Sequence, residues 1–427
     1  MQPASNTPTS FTGYQKLVVF ILAFTQFSVI LDFMVMSPLG DMLMKSMRLP
    51  PSQFGLAVSG YAFSAGISGL LTAGFADRWD RKKLLLFFYI GFIGGTFFCS
   101  LANSYYSLLA ARIITGIFGG VIGAISMAIV TDLFTLNQRG RVMGFVQMGF
   151  GASQVLGVPI GLYLANAWGW QSPFVMIGTM AAVTAVMIIW KLKPVTAHLQ
   201  LQRDKNALTH LWHTLARREY RIAFGATALL TVGGFLMMPF GSAFAVNNLG
   251  VTYQQLPLLF MVAGLSTLVV MPLVGKLSDR IDKFRIFAFA TIWSVTLVIL
   301  YTNLSTSHFW VVVVFNVLTM AGVMSRMVPS AALTSAIPAM ADRGAFMSVS
   351  GSLQQISGGI AAAVAGMIIS QKDRFSPLEH YPILGYVCAG VLLTCMFMMY
   401  RVSVIVRKKA RLTEALEEKK EKAELAV

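Results

Sequence analysis

Apolar runs of about twenty residues recur along this chain, each long enough to cross a hydrocarbon core as a helix. Twelve stand out, at 17–38, 54–76, 84–101, 106–132, 141–165, 172–190, 222–246, 255–276, 286–302, 309–336, 344–369 and 381–400. Short polar or charged stretches separate them. The pattern predicts an all-α membrane protein with twelve transmembrane helices. Runs 4, 5, 10 and 11 are rich in Gly and Ala, the composition of closely packed membrane helices.

The polar stretches repeat. Asp77-Arg78-Trp79-Asp80-Arg81-Lys82 returns as Asp279-Arg280-Ile281-Asp282-Lys283, at a constant offset of 202. Arg139-Gly140 returns as Arg343-Gly344 at an offset of 204, so the halves differ by a small insertion. Chance likeness of apolar helices would not align both charged pairs, and we read the chain as a duplication. Its parts are an N-terminal tail (1–16), a six-helix bundle (17–190), a linker (191–221), a second six-helix bundle (222–400) and a charged tail (401–427). The linker carries Leu211 and Trp212 among basic residues and is expected to form an interfacial amphipathic helix. The tail reads as a solvated extension of the last helix.

Composition agrees with the membrane reading. The 427 residues are 56% hydrophobic and 12% charged, against about 25% charge in soluble domains. A net charge of +16 invites a nucleic-acid partner, but its distribution excludes one. With the N-terminus inside, four cations lie outside (Lys45, Arg48, Lys372, Arg374), Arg112 and Arg326 lie within spans, and the other 27 of 33 face inward. That bias is the positive-inside rule; it puts both termini in the cytoplasm and the basic loops against anionic lipid heads, and we expect a multi-pass protein of the inner membrane. The first span is expected to be retained, because Asp32 interrupts it and no small-residue cleavage site follows. Cys99, Cys388 and Cys395 fall in apolar runs and read as packing residues. His210 and His213 lack a carboxylate or cysteine cluster, and we expect no metal and no cofactor.

Charges inside the spans carry the candidate chemistry. An arginine at the centre of a span costs at least ~2.5–3.5 kcal/mol, so it faces a wet cavity or a carboxylate. Asp32 lies ~22 Å up helix 1 and Arg112 ~9 Å down helix 4, at 1.5 Å per residue in a ~30 Å core. They arrive at nearly one depth and can pair. Burial favours the protonated form of a carboxylate and a guanidinium favours the ionised form, so this pair is the candidate for proton coupling. Its alternative is a fixed ion pair that never titrates. Arg326 has no acid in the second-half spans to neutralise it, and a midplane cation attracts an anionic substrate. Asn316 occupies the repeat position of Arg112. Gln26, Tyr61, Gln147, Gln154, Asn247, Gln354 and Gln355 are polar groups that can orient a substrate.

At the charged turn the sequence resembles the major facilitator superfamily, whose signature is Gly-x-Leu-Ala-Asp-Arg-x-Gly-Arg. Here it reads Ala73-Gly74-Phe75-Ala76-Asp77-Arg78-Trp79-Asp80-Arg81. Ala73 and Asp80 replace glycines; the second copy restores Gly275 but again has an acid, Asp282. The resemblance covers nearly the whole chain and implies the two-bundle fold. It also implies an inner gate built from Asp77, Arg78, Arg81, Asp132, Asp279 and Arg280, with Arg81 reaching Asp132. Arg112-Ile113-Ile114-Thr115-Gly116 is similar to the Arg-x-x-x-Gly motif of helix 4. Leu31-Asp32-Phe33-Met34-Val35 is similar to the first-helix acid motif of drug/proton antiporters. Gly149, Gly151, Gly157, Pro159 and Gly161 resemble the antiporter signature of helix 5, in the form seen in arabinose-efflux-type permeases. Proline frees a carbonyl and glycines admit close neighbours, so Gly157, Pro159 and Gly161 are the expected hinge.

These readings point to a proton-coupled secondary transporter working by alternating access, an antiporter exporting a small organic molecule or drug. Its candidate substrate contacts are Arg326, Asn316, Gln147 and Gln354. The alternative is a proton symporter or uniporter importing an anionic metabolite or metal chelate, and more remotely a membrane sensor. An enzyme is not expected, because one acid and two arginines within the spans supply no nucleophile, base or metal set. One chain holds both halves and can act as a monomer.

Overall fold

The structure, a computed structural model, describes residues 11–72, 78–196, 199, 214–339 and 342–424, without the side chains of residue 136 and residues 412–424. Asp77, His210, His213 and the segment expected to hold the linker helix lie outside the described residues.

Fifteen α-helices build two bundles among the described residues. The first contains α1 (Gly13–Val35), α2 (Gly40–Met47), α3 (Pro51–Thr72), α4 (Arg81–Leu101), α5 (Tyr105–Leu133), α6 (Leu136–Ala152), α7 (Val158–Trp168) and α8 (Ser172–Lys191). The second contains α9 (Arg218–Phe235), α10 (Gly241–Asn247), α11 (Leu256–Arg280), α12 (Lys283–Thr302), α13 (Phe309–Ser335), α14 (Arg343–Ile368) and α15 (Tyr381–Glu424). Two crossings are composite. Pro159 cannot donate to the carbonyl of Val155, and the ladder widens into a π turn at Ser153–Gly157 that joins α6 to α7. Pro239 sits in a short 3₁₀ turn (Met238–Phe240) between α9 and α10. The sequence reading treated both as single runs; the prolines break them.

Eleven crossings are long and apolar enough to span a membrane. The twelfth is α14, whose Ser, Gly and Gln residues lower its hydropathy and whose small-residue face packs against α3. The architecture is that of twelve transmembrane helices in two six-helix bundles.

The sequence repeat reappears as one structural device used twice. Asp80 caps α4 by accepting from Lys82 N at 2.9 Å, and Asp282 caps α12 by accepting from Arg285 N at 3.1 Å. Each acid that replaces a signature glycine is therefore an N-cap, which satisfies an orphan N–H at the helix start. Asp80 also accepts from Val195 N at 3.0 Å, tying the turn to the segment after α8. Partial burial would raise Asp282, but the Arg285 N–H and the Arg407 guanidinium at 2.9 Å hold its carboxyl below the usual range. We call the end with these turns and the N-terminus the terminal end, and the opposite end, with α2 and α10, the distal end.

The bundles meet along small residues. A Cβ on Gly55 would lie 2.7 Å from Ala362 O, one on Gly66 2.8 Å from Ser352 O, and one on Gly366 2.9 Å from Pro51 O. Ser59 donates to Gly359 O at 2.8 Å in the same seam. In lipid, close backbone approach of this kind supplies the van der Waals contact that holds helices together. On the other side α7 and the π turn press on α11, where a Cβ on Gly264 would lie 3.0 Å from the Gln154 backbone. Gly55→Val is expected to destabilise the protein by roughly 1–3 kcal/mol through overpacking. Gly94→Ala, with open space around Gly94, should be neutral or slightly stabilising. Thermal unfolding of both variants in detergent checks the contrast.

Candidate functional site

Four helices of the first bundle converge on Asp32. Arg112 Nη1 donates to Asp32 Oδ2 at 2.8 Å, and Thr96 Oγ1 donates to Asp32 Oδ1 at 3.2 Å. The Arg112 guanidinium lies 4.4 Å from the centroid of the Tyr61 ring, in cation–π contact. Asp32 and Arg112 are both 0% exposed. Residues from α1, α3, α4 and α5 thus enclose one ion pair.

The Arg-x-x-x-Gly spacing has a local reason here. Gly116 lies one turn beyond Arg112, and a Cβ there would meet Tyr61 O at 2.4 Å and Ser64 Oγ at 2.1 Å. The glycine lets α3 approach α5 closely enough for Tyr61 to cover the guanidinium. Arg112 Nε is buried without a hydrogen-bond partner among the described residues. The site is therefore neutral overall but under-satisfied, the condition in which a buried polar network is sensitive to small changes.

The glycine-rich fifth crossing packs directly on α1 beside this pair. A Cβ on Gly149 would lie 3.1 Å from Phe27 N, one on Gly157 2.6 Å from Leu31, and one on Gly161 3.1 Å from Val35. Ser153 Oγ donates to Phe27 O at 3.2 Å in the same stripe. The opposite face of that crossing meets α11, so the residues expected as a hinge stand between the helix carrying Asp32 and the second bundle.

The second bundle answers with an arginine and no acid. Arg326 is 2% exposed; its Nε donates to Thr291 Oγ1 at 3.2 Å, and its guanidinium lies 5.3 Å from the Phe287 ring centroid. Both neighbours belong to α12, and Nη2 has no partner among the described residues. Asn316 Oδ1 and Thr319 Oγ1 on α13, Gln154 Oε1 in the π turn and Gln26 Oε1 on α1 are likewise buried and unpartnered there. Gln147 and Gln354 carry exposed side chains.

At the terminal end Arg81 Nε lies 3.4 Å from Asp132 Oδ2, linking α4 to the end of α5. Arg139 closes the same helix end, donating to Thr131 O at 2.7 Å and Phe134 O at 3.1 Å. Arg78, Asp279 and Arg280 are exposed.

One cluster was not foreseen. Asn247, expected to orient substrate, instead binds Asp41 at the distal end, together with Lys45 and Tyr253. The i,i+4 spacing of Asp41 and Lys45 was the available signal, but it does not name the partners that come from the second bundle.

Two pseudo-symmetric helical bundles around buried charges define a membrane transporter, not an enzyme. A profile described as the Major Facilitator Superfamily matches residues 22–291 and 223–426. The chain belongs to that superfamily. It is 24% identical over 307 residues to a "Probable sugar efflux transporter" of Mannheimia succiniciproducens, covering 71% of this chain and 75% of that one. Among solved structures it resembles a bacterial homologue of the human lysosomal transporter Spinster, inward-facing and unoccupied, with TM-score 0.75, 16% identity and coverage of 93% and 99%. It also resembles a D-xylose–proton symporter, with TM-score 0.74, 17% identity and coverage of 90% and 97%.

Removing one partner of a buried ion pair strands the other, at a cost of ~3–5 kcal/mol. Asp32→Ala and Arg112→Gln should each lose stability on that scale. The double variant should lose less than the two together, and a thermal double-mutant cycle measures the difference.

Proposed function

We propose that this protein is a proton-coupled secondary transporter that works by alternating access and exports a small organic molecule by antiport. The observation that carries the reading is the buried Asp32–Arg112 pair, since no other carboxylate is described within the membrane-spanning cores. Ionised Asp32 neutralises Arg112. A proton on Asp32 removes that charge and releases the guanidinium to other acceptors, so the protonation state of Asp32 sets what Arg112 can bind. The efflux name of the Mannheimia relative supports the direction. The positive-inside bias supports cytoplasmic termini, and the bacterial sources of the relatives support the inner membrane.

The remaining parts take roles in that cycle. The π turn and Pro159, flanked by Gly157 and Gly161, serve as the hinge between α1 and α11. Arg81 with Asp132, together with Asp77, Arg78, Asp279 and Arg280, gates the terminal end. Asn316, Gln147 and Gln354 contact substrate, and Arg326 contributes through its unpartnered Nη2. A cavity of about 330 Å³ lined by Arg217, Arg218, Glu219, Tyr220, Ile337 and Lys409 suits an anionic lipid head at that end. Both bundles lie in one chain, so the monomer is the transport unit.

A second reading, proton-coupled import of an anionic metabolite, draws on the same Arg326, a buried cation with no described acid against it, and on the symporter that shares the fold. Proton flux in proteoliposomes with an internal pH dye, screened against drugs, sugars and organic anions, separates the two. Collapse of an imposed gradient reports coupling, and the side on which substrate accumulates distinguishes antiport from symport. Asp32→Asn should abolish proton-driven transport while ligand binding stays measurable; wild-type coupling in that variant removes Asp32 from the mechanism. Arg326→Gln should weaken an anionic substrate much more than a neutral one, and equal loss for both would sink the anion contact.

A further inference from the structure

The side-chain hydrogen bonds described between the two bundles are not spread evenly. Apart from the seam bond between Ser59 and Gly359, they gather at the distal end. Ser37 bonds Met238 O, Ser242 donates to Ser37 O at 2.7 Å, and Asn166 Nδ2 donates to Tyr253 O at 2.8 Å. Their centre is Asp41, a carboxylate only 1% exposed on the short helix α2.

Asp41 is bonded from both bundles at once. From its own helix Lys45 Nζ donates to Oδ2 at 2.8 Å. From the second bundle Asn247 Nδ2 donates to Oδ1 at 2.5 Å, and the Tyr253 hydroxyl donates to Oδ2. Lys45 reaches across as well, donating to Asn247 Oδ1 at 2.8 Å and Tyr253 Oη at 3.1 Å. Its ammonium lies 5.4 Å from the Tyr253 ring and 5.6 Å from the Phe375 ring, and Arg374 donates to Lys45 O at 3.3 Å. Burial, and then the bond to Asp41, push the Tyr253 hydroxyl up, so it remains a donor across ordinary pH.

We propose that Asp41, Lys45, Asn247 and Tyr253 form the distal gate of the transport path, closed in this structure, and that Asp41 is the residue on which its closure depends. The chemistry suits a clasp that must open repeatedly. When the bundles part, Asn247 and Tyr253 leave Asp41 and are taken up by water. Asp41 keeps Lys45, which stands one turn away on the same helix, so opening never strands the carboxylate. A buried ion pair divided between bundles would leave a charge uncompensated at each cycle; this arrangement confines the charge pair to one side and sends neutral donors across. At the offsets of 202 and 204 that relate the halves, Ala243 and Ala245 stand where a second Asp41 would, so the clasp is not duplicated.

The proposal rests on the alternating-access part of the functional reading and not on proton coupling. Its test is accessibility at the two ends of the path. A cysteine at Met237, half-buried beside the turn whose Met238 carbonyl meets Ser37, is labelled with a membrane-impermeant maleimide applied to either face of oriented vesicles. The full-length protein without that substitution serves as background, its three cysteines being buried. Asp41→Ala should raise labelling from the distal face by about tenfold or more, the scale of one charge-assisted hydrogen bond, and lower it from the terminal face. Tyr253→Phe, which keeps the ring and its packing, should give a smaller shift in the same direction.

A cross-link decides the matter if Asp41→Ala fails to insert. In the Ser37→Cys/Ser242→Cys variant, a pair that faces across the bundles at the same end and leaves the four clasp residues in place, oxidant should join the bundles and stop transport, and reductant should restore it. Unchanged distal labelling in Asp41→Ala, failure of the cysteines to cross-link, or undiminished transport by the cross-linked protein each overturns the gate. If wild-type labelling shows no change of accessibility at either end during transport, alternating access itself fails. Loss of proton coupling with normal gating leaves the clasp standing and removes only the Asp32 reading.

Discussion

A carboxylate and a guanidinium held 2.8 Å apart in a water-poor interior constrain most of the first bundle. Neither charge can stand there alone, so α1 and α5 must stay in register wherever the pair remains intact. Thr96 and Tyr61 then dictate where α4 and α3 lie. The small residues follow from the same demand. Gly116 gives α3 its approach to α5, and Gly157 and Gly161 give the fifth crossing its approach to α1. Packing around the pair is close because a gap would admit water and weaken the attraction between its members.

The second bundle keeps the scaffold of the first without its charge balance. Asp282 caps α12 as Asp80 caps α4, yet Asn316 stands where the first half has Arg112. Arg326 adds a cation at a different height and finds a hydroxyl and a ring in place of an acid. The duplication therefore preserved what turns and helix starts require and let the buried chemistry diverge. That divergence leaves a buried ion pair in the first bundle and, among the described residues, a buried cation without a facing acid in the second.

Helix count, bundle organisation and the pairing of Asp32 with Arg112 were legible because each follows from one-dimensional quantities. Run length sets the number of crossings, charged turns reveal the repeat, and the rise per residue gives depth. Partners across the bundle interface were not legible in the same way. Asn247 read as one of several polar groups on the spans able to orient a substrate, and the fold, with the break at Met238–Phe240 before α10, places its amide on Asp41. The glycine stripe of the fifth crossing pointed to close packing, but not to Leu31 and Val35 as what it packs against.

The sequence by itself determined the membrane class, the duplicated plan and which charges had to be buried, since hydropathy and charge act at the level of single helices. Tertiary structure alone decided which side chains share a face and at which end hydrogen bonds join the two bundles. Those depend on the rotation of each helix about its axis and on how two bundles meet, and neither is set by the composition of any one segment.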